Sequence, residues 1–368
     1  MGIFDVAFLV AAVTIAAPIL LAATGELVSQ RAGVMNVGLE GIMLGGAFGG
    51  YLTMVFTGDM LLGFLGGIVA GLLFGALMAV LAIEAKVDQI VAGIALNLLG
   101  FGVTAFLNGD LFSKPESFDP LPRVAIPLLS GIPVLGPVVF TQDVFVYAVV
   151  VVVVAVGLAL NRTTWGIGLK AVGENPIAAD AAGVSVRGMR WSAVLFAGAC
   201  AGAAGAYVSI GDVGVFREAM VGGRGYLALA AVLFGGWRLG GLLVAVAIFA
   251  GADALQLRLQ ASGEVPREVW VVAMLVIAVV LVVGRLRART TSRTAPPRPA
   301  ELVGIAAVVL AGLLALFQPS LTVPAPLWLA LPYVLALAAL AASGGAGSGR
   351  RRHRAPEALT IPYTRSEA

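Results

Sequence analysis

The chain has one cysteine, one histidine and three lysines in 368 residues, and only 12% of its residues are charged. Each scarcity excludes something. A single cysteine, Cys200, set in an apolar Ala/Gly run, rules out a disulfide framework and reads as a small buried residue. The one histidine, His353, lies in a basic tail, so no His-based metal site or intramembrane histidine base is available. No GxxxxGK[ST] phosphate loop occurs, and the chain is not expected to hydrolyse ATP itself. GxSxG, HExxH and paired intramembrane aspartates are missing too, which leaves an intramembrane hydrolase without support. No cofactor is expected.

What is abundant is apolar. At 60% hydrophobic residues and a mean hydropathy of +1.01, the chain is a polytopic membrane protein. The net charge of +3 sits in short loops and the tail, a topology signal and no reason to expect a nucleic-acid partner. Measured against a hydrocarbon core about 30 Å thick, eleven candidate runs emerge. They are 4–24, 39–57, 60–83, 90–107, 143–160, 191–210, 225–236, 239–257, 269–284, 302–317 and 327–343. The seventh, GYLALAAVLFGG, is short and reads as a half-helix or re-entrant piece, so the expected fold is an all-α bundle of about 9–11 spans. If every candidate crosses, the basic residues of 161–190, 285–298 and 350–354 share the cytoplasmic side and the N-terminus lies outside.

The organisation expected is a transmembrane helical domain over 1–284, an additional hairpin over 285–343, and a basic cytoplasmic tail over 344–368. An outward loop, 108–141, carries six prolines and is expected to be extended and without helix. Val265-Pro266 followed by Trp270 recurs as Val323-Pro324 followed by Trp328, a pattern that chance also explains in so apolar a chain. Glycines in steps of four, Gly41/Gly45/Gly49, Gly67/Gly71/Gly75 and Gly198/Gly202, predict close helix packing.

The polar stretch 164–190 between two apolar runs is the most informative. Asn175 is an N-cap residue, Pro176 suits the first helical position, Ala178 and Ala179 belong to a short Ala-rich helix, and Gly183 is a left-handed stop. With Arg162, Lys170, Arg187 and Arg190 around it, this is a cytoplasmic docking element.

Within the membrane, Asn36 and Glu40 stand four apart on one face of the second run, roughly opposite Gly41, Gly45 and Gly49. They face either a pathway or, for Glu40, the membrane interface. Asn97 either reads a substrate hydroxyl or base edge or bonds a neighbouring helix. Asp253 reads as a solvated helix end, and Arg217, Glu218 and Arg224 as an outward surface cluster.

The ordered segments AATGELVSQRAGVMNVGLEGIMLGGAF, DQIVAGIALNLLGFG, GLKAVGENPIAADAAGVSV, GRGYLALAAVLFGGW and RAPEALTIPY resemble the membrane subunits of bacterial ABC importers of the simple-sugar and nucleoside class, the nucleoside-type branch most. The region 267–326 departs from that pattern. The resemblance implies a non-catalytic permease in the bacterial cytoplasmic membrane. It pairs with a second, related permease, with separate ATP-binding subunits and with an extracytoplasmic substrate-binding protein. Residues 174–183, including Glu174, form the docking helix, and Asn36, Glu40 and Asn97 line the pathway. The competing reading is a stand-alone ion-coupled secondary transporter, which needs inverted repeats and paired intramembrane carboxylates that are not apparent.

Overall fold

The computed structural model describes residues 4–112, 114–262 and 355–364, with isolated helical positions at 268, 270, 271, 274, 312 and 313. The expected span 327–343, the basic residues of 285–298 and 350–354, all but isolated positions of 269–284, of 302–317 and of the 285–343 hairpin, and both repeated Val-Pro pairs lie outside the described residues.

Seven described helical segments are long and apolar enough to cross a membrane. They are built on α1 (Val6–Arg31), α2 (Leu39–Thr57), α3 (Met60–Ala79), α4 (Gln89–Leu111), α6 (Val144–Arg162), α9 (Val186–Ala206) and α11 (Leu239–Ser262). Helices α3 and α9 each continue into a wider π-turn, Val80–Glu84 and Tyr207–Val213. Between them lie the short α5 (Leu135–Val139), α7 (Thr164–Glu174), α8 (Pro176–Ala181) and α10 (Arg224–Phe234).

Side-chain size decides the packing. Of the residues of α3, those buried are Gly63, Gly67, Gly71, Gly75, Met78 and Ala79, while Leu61, Leu65 and Leu73 are exposed to what would be lipid. The glycine stripe meets its counterpart on α9: a Cβ at Gly71 would strike the Gly198 carbonyl, and one at Gly202 the Gly67 carbonyl. The two backbones therefore touch, as the four-residue glycine steps require. By contrast α6 packs through valines at helical spacing, burying Val146, Val149, Val153 and Val156 while Val150, Val151 and Val154 face outward.

The loop after α4 corrects the expectation of a wholly extended connection. It contains α5 and a small antiparallel pair, β1 (Arg123–Ala125) with β2 (Thr141–Asp143), in which Val124 faces Gln142. Pro137 is compatible with α5 because it lies in the first turn, where its missing N–H costs no intrahelical bond.

The stretch from 214 to 234 is a run of turns followed by a short helix. Its start is tied to the loop after α4 by Phe118 N–H donating to the Gly214 carbonyl at 2.7 Å and Leu121 N–H to the Gly211 carbonyl at 2.8 Å. It becomes helical only at α10, which ends near Trp237, whose carbonyl accepts from the guanidinium of Arg31 at the end of α1. The short run expected at 225–236 corresponds to the 11-residue α10.

The chain divides into two compact units, Val10–Gly251 with Tyr333–Ala368, and Met1–Leu9 with Ala252–Pro332. In the smaller unit, Asp5 accepts from Phe8 N–H at 2.9 Å and from Arg258 at 2.6 Å. The bond from Arg258 holds the Asp5 carboxyl below the usual carboxylate range.

Candidate functional site

Two polar constellations interrupt this apolar bundle. The first is the loop between α6 and α9. Thr163 ends α6 and caps α7, its hydroxyl accepting from Gly166 N–H at 3.1 Å. Gly166 lets α7 fold back on α6, since a Cβ there would strike the Ala159 carbonyl. Asn175 then serves both neighbours: its N–H donates to the Ala171 carbonyl at 2.8 Å, closing α7, and its Oδ1 accepts from Ala178 N–H at 3.0 Å, opening α8. Pro176 occupies the first helical position, and Gly183 at φ +81° turns the chain toward α9, whose N-cap is Ser185. In the same loop, burial and the neighbouring charge of Arg31 push Lys170 below the usual ammonium range.

The orientation of α8 is the new information. Ala179 is only 4% exposed and packs with Val172, Val186 and Tyr363. Glu174, Asn175, Ala178, Ala181, Ala182 and Gly183 are exposed, and so is Ile177, at 47%. Ala179 is therefore the anchor of α8, and Ile177 its apolar projection. Sequence reasoning passed over Ile177 because one isoleucine in a short Ala-rich helix carries no periodicity to assign its face.

The second constellation surrounds the break between α1 and α2. Glu26 Oε1 accepts from Gln30 Nε2 at 2.8 Å and from the Asn36 N–H at 2.9 Å, so the chain after α1 runs back alongside its last turns. Asn36 is fully buried and accepts from Gly38 N–H at 3.0 Å. Glu40, 2% exposed, accepts from Gly223 N–H through Oε1 and from Gly225 N–H through Oε2, both at 2.8 Å. These are donors at the start of α10, so Glu40 caps a helix whose N-cap, Gly223, lies 183 residues later.

Asn97, about 12 Å along α4 from Gln89, joins all three elements. Its Oδ1 accepts from Gly41 N–H at 2.8 Å, and its Nδ2 donates to the Val37 carbonyl and to the Tyr226 hydroxyl, both at 3.1 Å. Tyr226, 42% exposed, is the member of this cluster that opens to the surface. The structure thus brings Glu40 and Asn97 together around α10, with Asn36 in the break that leads to them. The division of α2 into a glycine packing face and an open Asn/Glu face is not seen. Every residue from Leu39 to Phe48 is buried, because the glycines of α2 admit neighbours on several sides. Glu26 and Tyr226 are the members that sequence reasoning left out. The i, i+4 pair Glu26/Gln30 and the glycine-flanked start of GRGY are the signals that pointed to them.

Residues 8–284 match the model of a family described as branched-chain amino acid transport system / permease component. Curated relatives agree on the transporter class. The chain is 39% identical over 261 residues to a provisionally named glucose ABC transporter permease protein, TsgC13, of Haloferax volcanii, covering 70% of this chain and 79% of that one. It is 33% identical to the guanosine ABC transporter permease protein NupQ of Bacillus subtilis, covering 66% and 79%. To the nucleoside ABC transporter permease protein NupC of Lactococcus lactis it is 32% identical, covering 68% and 80%. No solved structure matches the chain significantly. A match across most of the chain, with seven apolar helices among the described residues and a capped polar loop, shows that it belongs to this permease family and is a multi-pass membrane subunit of an ABC transporter.

Proposed function

We propose that this chain forms part of the translocation pathway of an ABC importer for a nucleoside or a related simple sugar, in a bacterial cytoplasmic membrane. Separate ATP-binding subunits drive it, and an extracytoplasmic binding protein delivers the substrate. The observation that carries the coupling part is α8: a capped helix anchored by Ala179 that offers Ile177 and Ala178 to a soluble partner, flanked by the exposed Glu174 at the end of α7, its cap Asn175 and Gly183 beyond it. With Pro176 fixing its entry, α8 is the surface on which an ATP-binding subunit docks. The substrate class follows the names of the relatives, which include guanosine, nucleoside and glucose permeases.

The pathway runs past the Asn97–Tyr226 pair. Glu40 and Asn36 support it from behind, holding α10 and the α1–α2 break in place. A half-exposed tyrosine beside a half-helix is costly to leave against lipid. Covering it with a second, related permease gives a pathway walled on both sides.

Uptake tests the whole reading. The chain is purified in mild detergent with its co-isolating subunits and reconstituted in vesicles supplied with the binding protein. Accumulation of labelled guanosine or glucose is expected to require hydrolysable ATP and to survive a protonophore. Collapse with the protonophore while ATP is present would establish the ion-coupled alternative instead. For the pathway, Tyr226→Phe removes one hydroxyl and no packing, so KM for a hydroxylated substrate is expected to rise about 3- to 10-fold with assembly unchanged. Unchanged kinetics for nucleosides and sugars alike would take Tyr226 out of the pathway.

A further inference from the structure

The segment 355–364, ALTIPY at its centre, is bonded into the base of the coupling loop. Ala358 N–H donates to the Gly173 carbonyl at 2.9 Å, in the last turn of α7. Thr360 N–H donates to the Gly33 carbonyl at 3.1 Å, in the break between α1 and α2. Arg190 near the start of α9, 2% exposed, donates through Nη1 to the Ile361 carbonyl at 3.0 Å and through Nε to the Ala32 carbonyl at 3.3 Å. Tyr363 packs with Val172, Ala179 and Val186, the cluster that anchors α8. Gly33 has φ +92°, and a Cβ there would approach both the Ala358 carbonyl oxygen and Arg190 Nη2 to 3.0 Å, so the break is shaped to receive this segment.

From this geometry we infer that residues 355–364 are a strap transmitting movement of α8 to the α1–α2 break, with Arg190 as its positioning residue. The inference rests on the coupling role of α8 proposed above. The strap touches α8 through Tyr363 and the break through Thr360, and three residues beyond Gly33 the chain reaches Asn36, then Glu40 and the cap of α10. Displacement of α8 thereby reaches the half-helix through backbone hydrogen bonds on either side of a buried guanidinium. A side chain buried in this way holds two segments in register, because separating them would strand its donors.

The test uses the reconstituted complex with the chain ended at Arg354. The ATP-binding subunit is expected to co-purify as with the full chain and ATP hydrolysis to persist, while substrate moved per ATP falls about 5-fold or more. Adding a synthetic peptide of residues 355–368 is expected to restore the ratio. Ala358→Arg and Arg190→Gln in the full-length chain check the same point if the shortened chain does not accumulate, and Arg190→Lys, which keeps a donor, is expected to recover part of the ratio. An unchanged transport-to-hydrolysis ratio in these variants overturns the strap. Loss of the ATP-binding subunit from the shortened chain also overturns it, making the segment a docking surface. Ile177→Arg separates this failure from that of the underlying reading. If Ile177→Arg transports normally, the coupling role of α8 falls; if it is inactive while the shortened chain transports normally, only the strap falls.

Discussion

Replacing Ile177 by arginine is expected to abolish uptake while leaving the chain folded in the membrane. The side chain is 47% exposed on the outer face of α8, so its removal touches little of this chain's own packing, and the fold is expected to stay within about 0.5 kcal/mol of wild type. In the coupling role proposed for α8, the same position is an apolar anchor on a surface of alanines. Burying an unpaired guanidinium there costs on the order of 2 kcal/mol or more, about 30-fold in affinity for the ATP-binding subunit. Pull-down of that subunit, with uptake measured on the same preparation, checks both effects. Ala178→Trp makes an independent probe on the same exposed face. Ala179→Trp is a poor one, because Ala179 is enclosed by Val172, Val186 and Tyr363, and a tryptophan there would disturb this chain before reaching any partner. Normal uptake by Ile177→Arg and Ala178→Trp together would remove α8 from coupling.

The largest loss of stability is expected for Glu40→Ala. The substitution strips both acceptors from Gly223 N–H and Gly225 N–H at a helix start packed against α2. Each buried donor left without a partner costs about 1–3 kcal/mol, and two such losses approach the whole stability of many domains. Glu40→Ala is therefore expected to accumulate poorly and to unfold in detergent well below the wild-type temperature. Glu40→Gln retains one carbonyl oxygen and should lose roughly half as much. Thermal unfolding of the two variants beside wild type measures the difference. If Glu40→Ala melts with wild type, the cap is not what holds α10.

Local chemistry made much of this architecture readable. Asn175, Pro176 and Gly183 are capping and stop signals that act within a few residues, and they define α8 in the structure as they do in the sequence. Glycine steps announce a seam because spacing alone decides which helix face is small. The rest depended on distant partners. Nothing near Glu40 says that its acceptors serve donors beyond residue 220, and nothing in Ala-Ala-Asp-Ala says which alanine turns inward. Helix α7 was hidden for another reason: Gly166, Gly168 and Gly173 lower helix propensity, yet Gly166 and Gly173 are required where the backbone meets Ala159 and Arg31. The loop after α4 hid its short helix behind prolines, one of which sits where a helix tolerates it.

The short helix α10 also bears on how the chain is made. Helix α10 has 11 residues and covers about 16 Å, roughly half a hydrocarbon core. The turns before it, 214–223, close only some backbone bonds of their own, such as Met220 N–H to the Arg217 carbonyl and Gly222 N–H to the Ala219 carbonyl, and irregular backbone is tolerated in lipid only when protein surrounds it. It therefore cannot enter the bilayer as an independent helix when it leaves the insertion machinery. Its first N–H groups find their acceptors on Glu40 and its Tyr226 hydroxyl is held by Asn97, so α2 and α4 are the receiving surface into which this segment closes.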